Sequence, residues 1–163
     1  MKGLNFPNLA LASLVASCFI QIGAQLFALV VVAGTVAEAP PRSFAMLQGE
    51  YGYDSSGFWN ALPTITFALF LAALAANWKT ARRRLLLLAL ILFVIGGLAA
   101  GFLVEPVFRE MLEVGYADQI DPALQSRAAT WHALDWTVWG LVATAGVTLL
   151  IALLRPLTTP GEA

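Results

Sequence analysis

Residues 127–140, RAATWHALDWTVWG, contain the only histidine of the chain, an aspartate and three tryptophans. His132 and Asp135 are three residues apart, so on a helix they share one face. A carboxylate beside an imidazole favours its protonated form, which suits general acid–base chemistry. We therefore take His132 and Asp135 as the candidate catalytic pair. Stacking surface for a ligand would come from the nearby indole rings of Trp131, Trp136 and Trp139.

Other polar side chains interrupt the apolar sequence at a similar predicted depth. A buried carboxylate is costly unless it is paired, so Asp135 should point inward and find a partner. We expect one polar cluster in the outer half of a helix bundle and almost no polar side chains between helices in the inner half. The candidate ligand-binding residues that join the tryptophans in this cluster are Gln21, Gln25, Asn60, Thr64, Glu105 and Arg109.

Two interpretations of the cluster stay open. It could be hydrogen-bonded glue between helices, or it could be a pocket for an apolar or amphipathic ligand in which His132 moves protons. One histidine cannot complete the common two-histidine, one-carboxylate iron site, so we predict no metal site and no cofactor. A mixed site of His132, Asp135 and Glu105 is the one metal arrangement that remains conceivable. The sequence contains neither a GxSxG nucleophile motif nor a phosphate loop.

The elements that position these residues are apolar. Of the 163 residues, 60% are hydrophobic and only 12% are charged, which is typical of a membrane protein and, with a net charge of -1, excludes a basic surface for nucleic acid. Four apolar runs reach the about 20 residues that a bilayer requires. We predict an all-α, integral membrane four-helix bundle that forms a single domain, 1–163. The four spans are expected at about 9–36, 58–78, 85–104 and 128–154.

Positive charges predict the orientation of these spans. Lys79, Arg82, Arg83 and Arg84 crowd the turn between spans two and three, and Lys2 and Arg155 fall on the same side. That side should be cytoplasmic, so both termini should lie inside. The first apolar run is far longer than that of a signal peptide, so we expect it to be a retained helix. Residues 105–126 should form a short amphipathic helix along the outer surface, and Asp121 should cap span four.

Two stretches carry a family resemblance. IGAQLFALVVVAGTVAEAPPRSF, which runs from the first span into a Pro-Pro loop, and LVEPVF followed by DPALQSRAATWHALDW resemble small four-span bacterial proteins of the anthrone oxygenase-like family. The resemblance implies a bacterial inner-membrane protein related to the oxidation of polycyclic anthrones without a recognised metal or flavin. His132, Trp131 and Pro106 match polar or loop positions of that family, whereas Glu105 stands where an asparagine is expected.

Two functions follow from these observations. The first is a membrane protein that binds or oxidises a hydrophobic aromatic or quinone-like molecule, with Glu105 and Arg109 at the mouth of its pocket. The second is a non-catalytic accessory subunit of a larger membrane protein complex, since no strong catalytic motif is present and Gly97 and Gly101 would allow close helix packing. The expected partners are the lipid bilayer, a hydrophobic small molecule and other membrane proteins.

Overall fold

The computed structural model describes residues 5–157, and Lys2, one of the charges used to predict orientation, lies outside this range. The predicted all-helical fold is confirmed for the described residues. Four helices are long and apolar enough to cross a membrane, which indicates an integral membrane protein. They extend beyond the predicted spans at most of their ends. We name them α1 (Phe6–Glu38), α2 (Ser56–Ala76), α3 (Arg83–Leu112) and α4 (Pro122–Leu154).

Local sequence accounts for where α1 and α4 begin. The side chain of Asn5 accepts a hydrogen bond from the backbone N–H of Asn8, and a proline occupies the first turn of α1. Asp121 plays the same part for α4, where its carboxylate accepts from the N–H groups of Ala123 and Leu124 and Pro122 follows. Both arrangements satisfy backbone donors that a helix start leaves free. The predicted cap at Asp121 is thus confirmed.

Helix α4 is the centre of the bundle. It packs extensively against α3 and α1, while α1 also packs against α2, and α2 and α3 touch one another much less. Buried residues recur along α4 every seven positions, which is two helical turns, so one broad face stays turned inward along its whole length. The most regular series is Trp131, Val138, Ala145 and Ala152.

Both helices that flank α4 widen into π-helix near the same end of the bundle. In α1 the widened segment is Ala28–Ala33, and in α3 it is Ala100–Val104. Such segments disturb the regular backbone hydrogen bonding and are frequent at functional sites. The segment Glu105–Leu112 is helical and follows the second π segment without a break, so it forms the last turns of α3.

The two ends of the bundle differ in charge and in cover. We call the end with residues 77–84 and Arg155 the basic end, and the end with residues 39–55 and 113–121 the acidic end. At the acidic end the loop folds back over the helices and buries Phe44 completely. The backbone N–H of Asp121 donates to the carbonyl of Pro40 at 3.0 Å. This cover gives the acidic end an apolar cluster separate from the one between the helices.

Candidate functional site

His132 lies at the contact between α4 and the π segment of α1. Its Nε2 atom is 3.1 Å from the backbone carbonyl oxygen of Leu29, which lies within that segment. The same Nε2 atom is 3.2 Å from the indole nitrogen of Trp136, one turn further along α4. The imidazole is partly buried, and the Trp136 side chain is 37% exposed on the bundle surface. The imidazole therefore lies beside an exposed indole at the edge of the bundle.

The two contacts of Nε2 need opposite protonation of the same atom. An indole N–H is only a donor, so the contact with Trp136 requires Nε2 to carry a lone pair. A carbonyl oxygen is only an acceptor, so the contact with Leu29 requires Nε2 to carry a proton. One neutral imidazole cannot satisfy both at once. The position of a single proton therefore decides which of two hydrogen bonds forms, and a ligand oxygen could complete the one that is lost.

Asp135 lies behind this imidazole, as the helical spacing predicts. Its carboxyl group is partly buried and lies near the side-chain amide of Gln25 on α1. His132 is close enough to act on the same carboxyl electrostatically. Gln25 itself is 9% exposed, so its side chain lies inside the bundle. The structure thus brings together His132, Asp135 and Gln25, three of the predicted site residues.

A regular row of side-chain donors extends this contact along α4. The donors are spaced seven residues apart and each meets a backbone carbonyl of α1 at 2.8–3.2 Å, with the histidine contact depending on its tautomer. The pairs are Gln125 with Glu38, His132 with Leu29, and Trp139 with Ile22. Polar side chains that bind a neighbouring helix's backbone are the glue that the first interpretation predicts. Trp139 and Gln125 fit that interpretation, because each makes one unconflicted bond.

Gln21 belongs to a different polar contact. Its Oε1 atom is 3.3 Å from the hydroxyl of Thr66 on α2, and this hydroxyl is also 2.8 Å from that of Ser17. All three side chains are buried. The prediction of one cluster is therefore wrong for Gln21, which joins α1 to α2, whereas Gln25 lies near Asp135 of α4. Their four-residue spacing did not decide which neighbour each would face.

Four further predicted site residues lie on the surface of the bundle. Asn60 and Thr64 are exposed, and the Thr64 hydroxyl donates to the backbone carbonyl of Asn60 at 2.8 Å. Glu105 and Arg109 are also exposed and form an ion pair with each other at 2.7 Å. Arg109 thus pairs with Glu105, one turn away on α3. None of the four adjoins the His132 contact in the hydrogen bonds that the structure shows for residues 5–157.

The three tryptophans have different surroundings. Trp131 is 6% exposed and stacks on Phe108 of α3, with ring centroids 4.9 Å apart and an interplanar angle of 15°. Its ring therefore packs α4 against α3. Trp136 and Trp139 contact each other edge to face at 5.6 Å. Of the three indoles, Trp136 offers the most exposed surface beside the imidazole.

The described residues hold no metal-ligand cluster. Across residues 5–157 no three His, Cys, Asp or Glu side chains come together in a way that could hold a metal ion. Glu105 pairs with Arg109 at the surface, so the mixed site of His132, Asp135 and Glu105 is not assembled in this arrangement.

Arg82 is a buried polar residue that the sequence did not single out. The inner half was expected to have almost no polar side chains between helices, but Arg82 is 4% exposed and Asn77 is fully buried. The guanidinium donates to Asn8 Oδ1 at 2.6 Å and to the backbone carbonyls of Leu153 and Arg155. It thereby joins the start of α1 to the end of α4. Positive charge at a helix C-terminus is a favourable match with the helix dipole, which was the available signal.

Comparison of the chain with known protein families, curated proteins and solved structures finds no match.

Proposed function

We propose that this integral membrane protein binds a neutral, planar aromatic ligand of the quinone or phenol type, taken from the bilayer at His132. The observation that carries the proposal is the Nε2 atom of His132, which lies between a carbonyl oxygen and an indole N–H and can serve only one of them. A ligand with a carbonyl or hydroxyl oxygen could accept from the indole or exchange a proton with the ring. The resemblance to anthrone oxygenase-like proteins supports the same ligand class.

Each residue of the site has a role in this proposal. His132 exchanges the proton with the ligand oxygen, and Asp135 lies beside the ring as the polar group nearest to it on the same helix face. Gln25, which is buried on α1 near the Asp135 carboxyl, supplies a second polar group on that side of the site. The exposed face of Trp136 supplies the stacking surface for a flat ligand.

Titration of 1,4-naphthoquinone into the protein in lipid nanodiscs tests this role, with quenching of tryptophan fluorescence as the signal. We expect saturable quenching in the wild type. His132→Phe keeps an aromatic ring but removes both ring nitrogens, so it should weaken binding about tenfold, the equivalent of one hydrogen bond.

Trp78→Phe is the matched control, because Trp78 lies at the opposite end of the bundle and its loss should leave the affinity unchanged. Circular dichroism of each variant checks that the helices are retained. Quenching that rises linearly without saturation, or an unchanged affinity in His132→Phe, would overturn the proposal.

We also propose the orientation that the charges predict. Both termini would be cytoplasmic in a bacterial inner membrane, and Glu105–Leu112 would lie at the outer surface. The separation of a basic and an acidic end supports this assignment, since positively charged loops remain on the cytoplasmic side.

A second candidate function is that of a non-catalytic subunit in a larger membrane complex. Gly97 and Gly101 favour it, because both are exposed one turn apart on α3 and a Cβ added at either would meet open space. Such a surface lets another helix approach closely. Extraction in mild detergent tests the candidate: a discrete complex that Gly101→Leu dissociates would support it, and a lone 17.4 kDa chain would exclude it.

A further inference from the structure

A groove runs along α2 at the basic end, far from His132. Its volume is about 610 Å³. Its apolar floor is formed by one side of α2, and its rim is formed by the residues that follow the helix. The lining residues are Leu71, Leu74, Ala75, Ala76, Trp78 and Lys79.

The rim of this groove combines an indole with two cationic groups. Lys79 lines the groove directly, and the guanidinium carbon of Arg83 lies 5.1 Å from the centroid of the Trp78 ring. Tryptophan and lysine with an apolar neighbour are the residues that proteins place at the level of lipid headgroups. The groove therefore has an apolar part and a cationic part in the order in which a phospholipid presents its chains and its phosphate.

Within the part of the chain that the structure describes, the cations at this rim form no ion pair with a carboxylate. Among residues 5–157, the Asp and Glu side chains other than Asp135 all lie toward the acidic end, in or beside its loops. Arg82 is turned inward to Asn8 and to backbone oxygens. Lys79, Arg83 and Arg84 are exposed. The charge at the basic end is thus left for an anion from outside the bundle.

We propose that this groove is a binding site for one anionic phospholipid of the leaflet at the basic end. The phosphate is held by Lys79 and Arg83, and an acyl chain lies along Leu71 and Ala75. A free phosphate ion would use the cations but leave the apolar floor uncovered, whereas a phospholipid matches both parts. This site is independent of the ligand proposed at His132.

Native mass spectrometry of the detergent-solubilised protein tests the site, with phosphatidylglycerol and phosphatidylcholine of identical chains as probes. We expect preferential retention of one phosphatidylglycerol. A cation near an anionic lipid surface contributes enough to change binding about fivefold, so Lys79→Gln and Arg83→Gln should each lower retention by about that factor. Ala75→Trp, which fills the floor and removes no charge, should lower it as well.

Arg84→Gln is the matched control, since Arg84 belongs to the same basic segment but neither lines the groove nor stacks on Trp78. It should retain phosphatidylglycerol as the wild type does, and millimolar inorganic phosphate should not displace the lipid. Equal retention of the two lipids, or an equal loss in Arg84→Gln, would reduce the effect to diffuse surface charge and overturn the proposal. Unchanged retention in Ala75→Trp would overturn the acyl-chain contact and with it the phospholipid assignment.

Discussion

The imidazole of His132 is the residue on which the proposed chemistry depends. Its Nε2 atom has one acceptor and one donor at nearly equal distances, 3.1 Å and 3.2 Å. A hydrogen bond in a protein contributes only about 0.5–1.5 kcal/mol net, so neither contact is expected to dominate the other by much. A small change at this position, such as a ligand oxygen, can therefore shift the proton from one arrangement to the other.

Replacement of the competing donor should fix the tautomer. Trp136→Phe keeps an aromatic ring but removes the indole N–H, so the form with a proton on Nε2 and a bond to Leu29 should become the major one. Because the chain has one histidine, the ¹⁵N chemical shifts of its ring report the tautomer without ambiguity. Trp139→Phe is the control, since its indole donates to Ile22 instead. An unchanged tautomer ratio in Trp136→Phe would contradict the competition.

At the scale of the elements, the contact between α1 and α4 depends on what occupies every second turn of α4. The row of donors Gln125, His132 and Trp139 continues, seven residues later, at Gly146. Gly146 has no side chain to donate a hydrogen bond, and α1 lies close to it instead. A Cβ on Gly146 would lie 2.5 Å from Cδ1 of Ile22 and 3.6 Å from Sγ of Cys18. The two helices are thus joined by polar contacts toward the acidic end and by close packing toward the basic end.

A larger side chain at Gly146 should force these helices apart. We expect Gly146→Leu to lower the free energy of unfolding by about 2 kcal/mol, the usual cost of overpacking a tight contact. Gly140→Leu adds the same side chain to the same helix where nothing lies within 4 Å, so it should cause no comparable loss. Unfolding in mixed micelles with increasing denaturing detergent gives both values. Equal losses would show that the contact at Gly146 is not tight.

The elements were more predictable than their contacts. Long apolar runs identify helices because each helix satisfies its own backbone in lipid, whatever its neighbours are. The N-cap at Asp121 was likewise predictable from the sequence, since it depends only on Asp121 and the residues that directly follow it. The π segment at Ala28–Ala33 left no such local signal. The partner of Gln21 and the neighbours of Gln25 depend on how α1 is rotated between α2 and α4, and no single helix specifies that rotation.

For the whole molecule, the main asymmetry is the distribution of charged side chains between the two ends of the bundle. Lys79, Arg83 and Arg84 lie at the basic end without carboxylates among the described residues around them, whereas at the acidic end carboxylates outnumber the arginines and form ion pairs with Arg109 and Arg127. The sequence predicted this division because loop charges can be counted once the spans are known. The sequence could not predict that Arg82, unlike the other cations of the basic end, is buried. Burial of its guanidinium requires acceptors that α1 and the end of α4 supply together.

Cysteine labelling tests which end faces the cytoplasm. Cys18 is fully buried, so single cysteines can be added without a strong background. Tyr51→Cys, at a position that is 93% exposed in the acidic loop, should react with a membrane-impermeant maleimide in intact cells. Arg84→Cys should react only after the membrane is permeabilised. The reverse pattern would invert the proposed orientation and would place the phospholipid site in the outer leaflet.

The position of Arg82 also has a consequence for the order of assembly. Its acceptors at Leu153 and Arg155 lie about seventy residues later in the chain, so they leave the ribosome well after the guanidinium itself. Until α4 is synthesised, we expect the Arg82 guanidinium, which is buried in the final structure, to remain hydrated at the level of the lipid headgroups. We therefore expect Arg82 to take its interior position only after the final helix has been inserted, and a chain truncated before Leu153 would lack these acceptors.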